Sequence, residues 1–417
     1  MVGPTVATCD EGSRRQIMQS LLPGGDAIVV ASGARTPIGG FQGDFAALTA
    51  TDLAGIAVKG AVARASIRPE DISELLMGCV LPAGLGQAPA RQAARGAGLP
   101  DGVPCTTVNK MCGSGMKTVM QAAEALAFRP DDILVAGGME SMTNAPYLLP
   151  RMRSGARLGH AQALDHMFVD GLEDAYDKGR LMGTYAEDTA RHYQFTRYQQ
   201  DAFALASLDR ARRSNEDQTF ASEIVPVPVT SRSGTRIVER DEQPFKADPA
   251  KIPELKPAFR KDGTVTPANS SSISDGAAAL VLMRRSTAER LGVLPLAVIA
   301  GMASFAQAPA WFTTAPVGAM KRLFDQTGWD TSSIGLFEIN EAFAVVTMAA
   351  MHDLGLPHEK VNVHGGACAL GHPVGASGAR IIVTLLNAMR KHDVRRGVAA
   401  ICIGGGEATA MAFERHS

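Results

Sequence analysis

Four short segments bring together residue types that can do nucleophilic chemistry. The first, Val108-Asn109-Lys110-Met111-Cys112-Gly113-Ser114-Gly115-Met116, runs from an apolar approach to a cysteine followed by glycines and a helix-forming stretch. This is the form of a nucleophile elbow. At a helix N-terminus the macrodipole and the unpaired backbone N–H groups stabilise a thiolate, which predicts a lowered Cys112 pKa and a larger reactive fraction near neutrality. The flanking glycines permit a tight turn and close approach of a substrate. The competing reading makes Cys112 a small buried hydrophobe at a strand-to-helix turn, and for an arbitrary cysteine that reading is the commoner one.

A cysteine nucleophile needs a base. The second segment, His364-Gly365-Gly366-Ala367-Cys368-Ala369-Leu370-Gly371-His372-Pro373-Val374-Gly375-Ala376-Ser377-Gly378-Ala379-Arg380, packs histidines into a glycine-rich loop before a helix. His372 fits the base, and a structural histidine satisfied by loop carbonyls fits the same residue equally well; His364 reads as structural. The third segment is Cys402-Ile403-Gly404-Gly405-Gly406-Glu407, where an apolar strand opens into glycines whose backbone N–H groups can form an oxyanion hole. The fourth, Asn340-Glu341-Ala342-Phe343, sets an amide and a carboxylate at the end of the strand Leu336 to Ile339, and strand ends are where α/β enzymes keep their sites.

The elements that must position these residues alternate in kind. Strand-like runs at Ala27 to Ala31, Leu75 to Val80 and Asp132 to Ala136 alternate with a helix over Gly113 to Phe128, and the first run is read as closing at Ser32-Gly33. From Ser141 to Asn269 charges, prolines and glycines increase and an amphipathic stretch runs from Ala186 to Arg213, the texture of an inserted, more solvated subdomain. Strands then return at Ala277 to Met283, Ala297 to Ala303, Ile334 to Ile339 and Val398 to Ile403, with a helix over Ala376 to Arg390. This predicts α/β layering. The two halves share a layout, a reactive-type residue just before a helix and a later strand ending in consecutive glycines.

Composition bounds the rest. The 417 residues are 46% hydrophobic and include 43 glycines, enough for a large core and two or three domain-sized units. Forty-one basic and 42 acidic residues leave no global field for nucleic acid or an anionic membrane. Apolar runs such as Ile381 to Leu386 fall far short of the roughly 20 residues a membrane span needs. Residues 1–26 lack a secretory signal and read as a mobile N-terminal extension. The six cysteines show neither CxxC pairs nor a disulfide framework, which predicts a reducing, cytoplasmic setting.

Taken jointly and in this order, the cysteine elbow, the Asn-Glu strand end, the histidine loop and the second cysteine with its triglycine resemble the thiolase family, in its acetyl-CoA C-acetyltransferase branch. The likeness runs from about Ala27 to the C-terminus and includes Ala34-Arg35-Thr36-Pro37-Ile38-Gly39-Gly40-Phe41, Gly137-Gly138-Met139-Glu140-Ser141-Met142 and Gly263-Thr264-Val265-Thr266. The resemblance implies an α/β thiolase fold, two related halves in a five-layered αβαβα core with an inserted loop domain that covers coenzyme A. The domains implied are an extension 1–26, an N-terminal half 27–145 with 270–295, the insert 146–269 and a C-terminal half 296–417.

The resemblance further implies that Cys112 is the acylated nucleophile, that His372 activates it, and that Cys402 moves the α-proton of a second acetyl-CoA. One oxyanion hole falls to His372 and a water held by Asn340, the other to the N–H groups of Cys112 and Gly404. Ser271 maps onto the serine beside the pantetheine arm, and Met182, Phe312 and Phe343 onto the acyl and CoA site. No metal or covalently bound cofactor is implied; acetyl-CoA, acetoacetyl-CoA and CoA are the substrates, fatty acid metabolism the setting, and self-association as a homodimer or homotetramer the assembly. Three departures bear on the acyl pocket: Leu181 where relatives carry histidine, Phe312 near a usual methionine, and Glu407-Ala408 after the triglycine. The alternatives are a 3-oxoacyl-CoA thiolase for longer chains, a ketoacyl-synthase-type condensing enzyme, which has no need of Cys402, and an inactive acyl-CoA-binding scaffold.

Overall fold

The computed structural model describes residues 25–232 and 234–415, so nearly all of the expected N-terminal extension lies outside the described residues. Ten strands form one sheet: β1 (Ile28–Arg35), β2 (Gly39–Gly40), β3 (Glu74–Gly78), β4 (Cys105–Val108), β5 (Leu134–Ser141), β6 (Ser274–Arg284), β7 (Ala297–Ala306), β8 (Leu336–Ile339), β9 (Arg396–Ile403) and β10 (Glu407–Glu414). Their order is β8-β9-β10-β7-β1-β6-β5-β3-β4, with β2 paired to β6. The helices that matter here are α1 (Ala50–Arg64), α2 (Pro89–Gly96), α3 (Ser114–Phe128), α4 (Met182–Tyr193), α5 (Arg197–Glu216), α6 (Ala315–Thr327), α7 (Ala344–Leu354) and α8 (Val374–Lys391).

The duplication read in the sequence is visible in the pairing. In one half β1 pairs antiparallel with β6, β6 antiparallel with β5, and β5 parallel with β3; in the other β7, β10, β9 and β8 repeat those relations. The halves join where Val29 and Val30 meet Val298 and Ala297. Successive side chains of a strand point to opposite faces, and both faces of these strands are covered. Ala277, Ala279, Val281 and Met283 of β6 pack outward with Leu53 and Ala57 of α1 and Ala93 of α2. Ala278, Leu280 and Leu282 pack inward with Met116 and Val119 of α3 and Ile382 and Leu385 of α8. Ala400 of β9 and Ala410 of β10 pack outward on Met320 and Leu323 of α6. The result is helices, sheet, the α3/α8 pair, sheet, helices: the five layers.

Local sequence explains the elements. Thr49 caps α1, its hydroxyl accepting from Asp52 N–H at 3.2 Å while the Asp52 carboxylate accepts from Thr49 N–H at 2.9 Å. The predicted helix Gly113 to Phe128 starts one residue later, with Gly113 as its N-cap. The helix expected over Ala376 to Arg390 runs from Val374 to Lys391, and 16 of its 18 residues are buried, as a centrally placed helix must be. Each leucine or isoleucine buried there contributes about 1.5–3 kcal/mol.

Three expectations need correction. The amphipathic stretch Ala186 to Arg213 is two helices, broken at Gln194 with φ 57° and restarted by a Thr196/Gln199 capping box. The first strand does not close at Ser32-Gly33 but continues to Arg35 past an irregularity between Val30 and Ser32. Gly137-Gly138 likewise lies inside β5, not at its end.

Those glycines exist for contact. A Cβ on Gly138 would lie 2.0 Å from the Gly375 carbonyl oxygen, one on Gly115 2.8 Å from the Ala379 nitrogen, and one on Gly378 2.4 Å from the Met116 nitrogen. β5, α3 and α8 therefore meet backbone to backbone. Gly138→Ala is expected to destabilise the protein by at least about 1–3 kcal/mol through overpacking, whereas Gly102→Ala, exposed with no atom within 4 Å of the added methyl, should change stability by less than about 0.5 kcal/mol. Thermal midpoints at one protein concentration check this, and equal midpoints would contradict it.

Candidate active site

Cys112 sits just ahead of α3 because the turn before it is tied at both ends. Asn109 Oδ1 accepts from Met111 N–H at 3.0 Å, Lys110 N–H donates to Ser114 Oγ at 2.8 Å, and the Ser114 hydroxyl donates to Met111 O at 2.6 Å. Met111 is held at φ 46°, a conformation that costs a non-glycine residue about 1–2 kcal/mol. The tight turn into a helix expected around Cys112 is present. Cys112 is half-buried, and the N–H groups of Gly404 and of Cys112 itself are directed at its sulfur.

His372 arrives from the other half at the start of α8. Gly371 before it has φ 107°, and a Cβ there would lie 2.1 Å from Ser274 Oγ, so only glycine fits. The Ser377 hydroxyl gives its one proton to Pro373 O at 2.9 Å, so the 2.6 Å contact between Ser377 and His372 is made by Nδ1–H donating. The neutral ring then keeps a lone pair on Nε2, which has no partner among the described residues, on a residue that lines the cavity. That favours the base over the structural reading of His372. His364, by contrast, meets His392 with Nε2 to Nε2 at 3.1 Å, away from this cavity.

The cavity has a volume of about 360 Å³, the size of a small-molecule site. Cys112, His372, Gly404, Ser271, Met182, Phe312 and Phe343 all line it. Phe312 packs edge-on against Tyr185 with centroids 6.3 Å apart, and Phe343 against Phe259 at 5.9 Å. Ser271 donates from both N–H and Oγ to Ala342 O, at 3.0 and 2.9 Å, fixing the serine segment to the Asn340–Phe343 strand end. Cys402 and Asn340 stand behind the wall. Cys402 is fully buried among Met182, Phe312 and Phe343, and its ionisation is opposed first by that burial and then by any negative charge on Cys112. Asn340 accepts from Arg380 Nη2 at 3.4 Å and leaves its buried Nδ2 without a partner among the described residues. A larger open groove of about 880 Å³, lined by Asp44 and residues between 215 and 246, contains none of these groups.

Electrostatics reverse one expectation. Cys112 is not held as a ready thiolate: burial pushes it up to about 11, outweighing the two N–H groups that pull the other way. Burial, aided by the Arg380 guanidinium, pulls His372 down to about 3. Burial also raises Cys402 well above the usual thiol range. Between those limits the resting pair is a thiol and a neutral imidazole.

Glu140 was not singled out in the sequence, and Glu341 was read there only as a carboxylate at a strand end. Glu140 is buried, accepts from the N–H groups of Val80, Leu81 and Gly375 at 2.9, 3.1 and 2.9 Å, and so fastens the first turn of α8 to the other half. Burial lifts its carboxyl to about 7 against those donors. Glu341 accepts from Ser207 Oγ, Asn362 Nδ2 and Cys368 N–H at 2.8, 2.8 and 3.0 Å, anchoring the histidine loop. Phe168, Gly171, Leu172 and Phe259 complete the cavity from the 142–273 segment. A carboxylate inside the glycine-rich apolar run Gly137-Gly138-Met139-Glu140 was the available signal for the first.

Residues 28–286 match the family model "Thiolase, N-terminal domain" and residues 293–415 "Thiolase, C-terminal domain". The chain is 49% identical over 391 residues to acetyl-CoA acetyltransferase 1 of Arabidopsis thaliana, covering 93% of this chain and 94% of that protein. It is 45% identical over 390 residues to the acetyl-CoA acetyltransferase of Allochromatium vinosum, covering 93% and 99%. A crystal structure of Acat5 thiolase from Ascaris suum in complex with coenzyme A superposes with a TM-score of 0.88 at 41% identity, covering 94% of this chain and all of that one.

The resting thiol predicts the pH dependence of alkylation. With Cys112 near 11 and His372 near 3, inactivation by iodoacetamide should rise by about tenfold per pH unit between neutrality and the alkaline limit of stability, because only the thiolate reacts. A plateau reached below pH 8 would contradict the thiol form.

Proposed function

This chain belongs to the thiolase family, and from that premise we propose that it is an acetyl-CoA C-acetyltransferase, joining two acetyl-CoA reversibly into acetoacetyl-CoA and free CoA through an acyl-cysteine. The observation that carries the reading is the convergence on one cavity of the Cys112 thiol, two backbone N–H groups and a histidine with a free ring nitrogen, with a second buried thiol behind them.

The chemistry proposed follows from those groups. His372 Nε2 takes the Cys112 proton as the sulfur attacks the thioester carbonyl, and the Cys112 and Gly404 N–H groups hold the developing oxyanion, which in such water-poor sites is commonly the largest single contribution. The CoA sulfur leaves with the Cys402 proton. The enzyme now holds acetyl-Cys112, an imidazolium and a Cys402 thiolate, a net-neutral arrangement that burial tolerates where either charge alone is disfavoured. Cys402 removes the α-proton of the second acetyl-CoA, and the enolate oxygen is held by His372 Nε2–H and through the Asn340 amide. Attack on acetyl-Cys112 forms the carbon–carbon bond, and Cys112 leaves with the His372 proton. Each group regains its starting protonation: Cys112 recovers its proton from His372, while Cys402 gives its proton to CoA and is reprotonated by the α-proton of the second acetyl-CoA; the direction is set by metabolite ratios.

Around this centre we propose the division into halves 27–145 with 270–295 and 296–417, with residues 146–269 covering the CoA arm through Met182 and the Phe168–Leu172 turn, beside Ser271 of the N-terminal half. Self-association as a homodimer or homotetramer is supported by β4, paired on one side only among the described residues, and by exposed Tyr147, Leu149, Met152 and Leu158. No helix of the described residues is long and apolar enough to cross a membrane. A cytoplasmic setting and a part in fatty acid metabolism are proposed with it; the free Cys112 and Cys402 support a reducing compartment.

A broader 3-oxoacyl-CoA thiolase is the second reading, favoured by Leu181, an apolar residue in the cavity wall. Thiolysis separates the two. For the acetyltransferase, kcat/KM should fall by roughly tenfold or more between acetoacetyl-CoA and its six-carbon homologue, because Phe312, backed edge-on by Tyr185, takes up space in the cavity wall. A flat or rising profile out to long chains would overturn it in favour of the second reading.

A further inference from the structure

The turn that presents Gly404 has no side chains with which to hold itself, and Gly405 and Gly406 both sit at φ 91°. Two outside contacts fix it. On one side Gln307 N–H donates to Gly406 O at 2.8 Å, and a Cβ on Gly406 would lie 2.4 Å from the Gln307 carbonyl. On the other side Glu407, the first residue of β10, reaches across to the other half of the molecule and pairs with the Lys110 ammonium. The Lys110 backbone is itself pinned to Ser114, two residues beyond Cys112. The ion pair thus joins the two segments that supply the N–H groups at the Cys112 sulfur.

The side chains are 25% and 39% exposed, so the pair adds little to global stability. Its geometric effect is a different matter, since removing one oxyanion-hole donor costs on the order of 100- to 1,000-fold in rate and small misplacements are also costly. We propose that the Lys110–Glu407 ion pair is a positioning clamp that sets the spacing between the Cys112 and Gly404 N–H donors, and that it acts on acyl transfer and not on thioester binding. This rests on the reading of those two groups as the oxyanion hole. Neither residue touches the reacting atoms.

The test compares Glu407→Gln, Lys110→Met, the double variant and the charge exchange Lys110→Glu with Glu407→Lys, with Cys112→Ser alongside. The readouts are the pre-steady-state rate of CoA release from acetyl-CoA, KM for acetyl-CoA and the thermal midpoint. Each single variant should slow acylation by about 5- to 30-fold, with KM within about twofold and an unchanged midpoint. The double variant should be no slower than the worse single, and the exchange should recover most of the rate. Singles within twofold of wild type, losses that multiply in the double, a rate that follows the midpoint, or failure of the exchange would each overturn the clamp. Residual acylation in Cys112→Ser would instead overturn the site reading beneath it.

Discussion

The contact on which the rest of the structure depends is the approach of α3 and α8 without side chains between them. Gly115 and Gly378 let the two helix backbones touch, and Gly138 lets β5 touch α8 at Gly375. Each helix carries its reactive residue immediately before its first turn. Because the crossing lies at those first turns, Cys112 of one half and His372 of the other open on the same cavity. Glu140 completes the junction, its carboxylate accepting from Gly375 N–H of one half and from Val80 and Leu81 of its own. A buried carboxylate stripped of one donor would lose part of what offsets its desolvation, so the junction is specified chemically as well as sterically.

Burial then decides the resting state of the site. Alone, neither Cys112 nor His372 ionises readily where it stands, and Cys402 less so. Desolvation penalises isolated charge far more than a compact pair of opposite charges. A site built this way holds its thiols protonated at rest, and the chemistry proposed for it makes and removes charge in matched steps. The glycine turn at 404–406 and the strained Met111 contribute fixed backbone dipoles, which need no reorganisation at the moment of reaction.

Much of this was legible in the sequence, for identifiable reasons. Cys112, His372 and the Gly404 turn stood out by residue type in glycine-rich segments, Ser271, Met182, Phe312 and Phe343 came from a family resemblance, and all of them line the cavity. The two helices behind the reactive residues were found within two residues of their ends because their apolar runs are long. β10 was missed because Glu-Ala-Thr-Ala-Met-Ala-Phe-Glu is rich in alanine, which carries no strand signal, although both of its faces are buried. Glycines inside β1 and β5 were misread as strand ends, since only the packing partner reveals why a side chain is excluded. The Cys112 pKa was misjudged for a related reason: local sequence displays the helix dipole but not the depth of burial that overrides it.

The most direct measurement is mass spectrometry of proteolysed wild-type and Cys402→Ala protein after exposure to acetyl-CoA alone. If Cys112 accepts the acyl group and Cys402 drives condensation, the variant should accumulate a single acetyl group on the peptide containing Cys112 and form little or no acetoacetyl-CoA, while the wild type turns over. Acetylation at another residue, or condensation by the variant at the wild-type rate, would contradict the account.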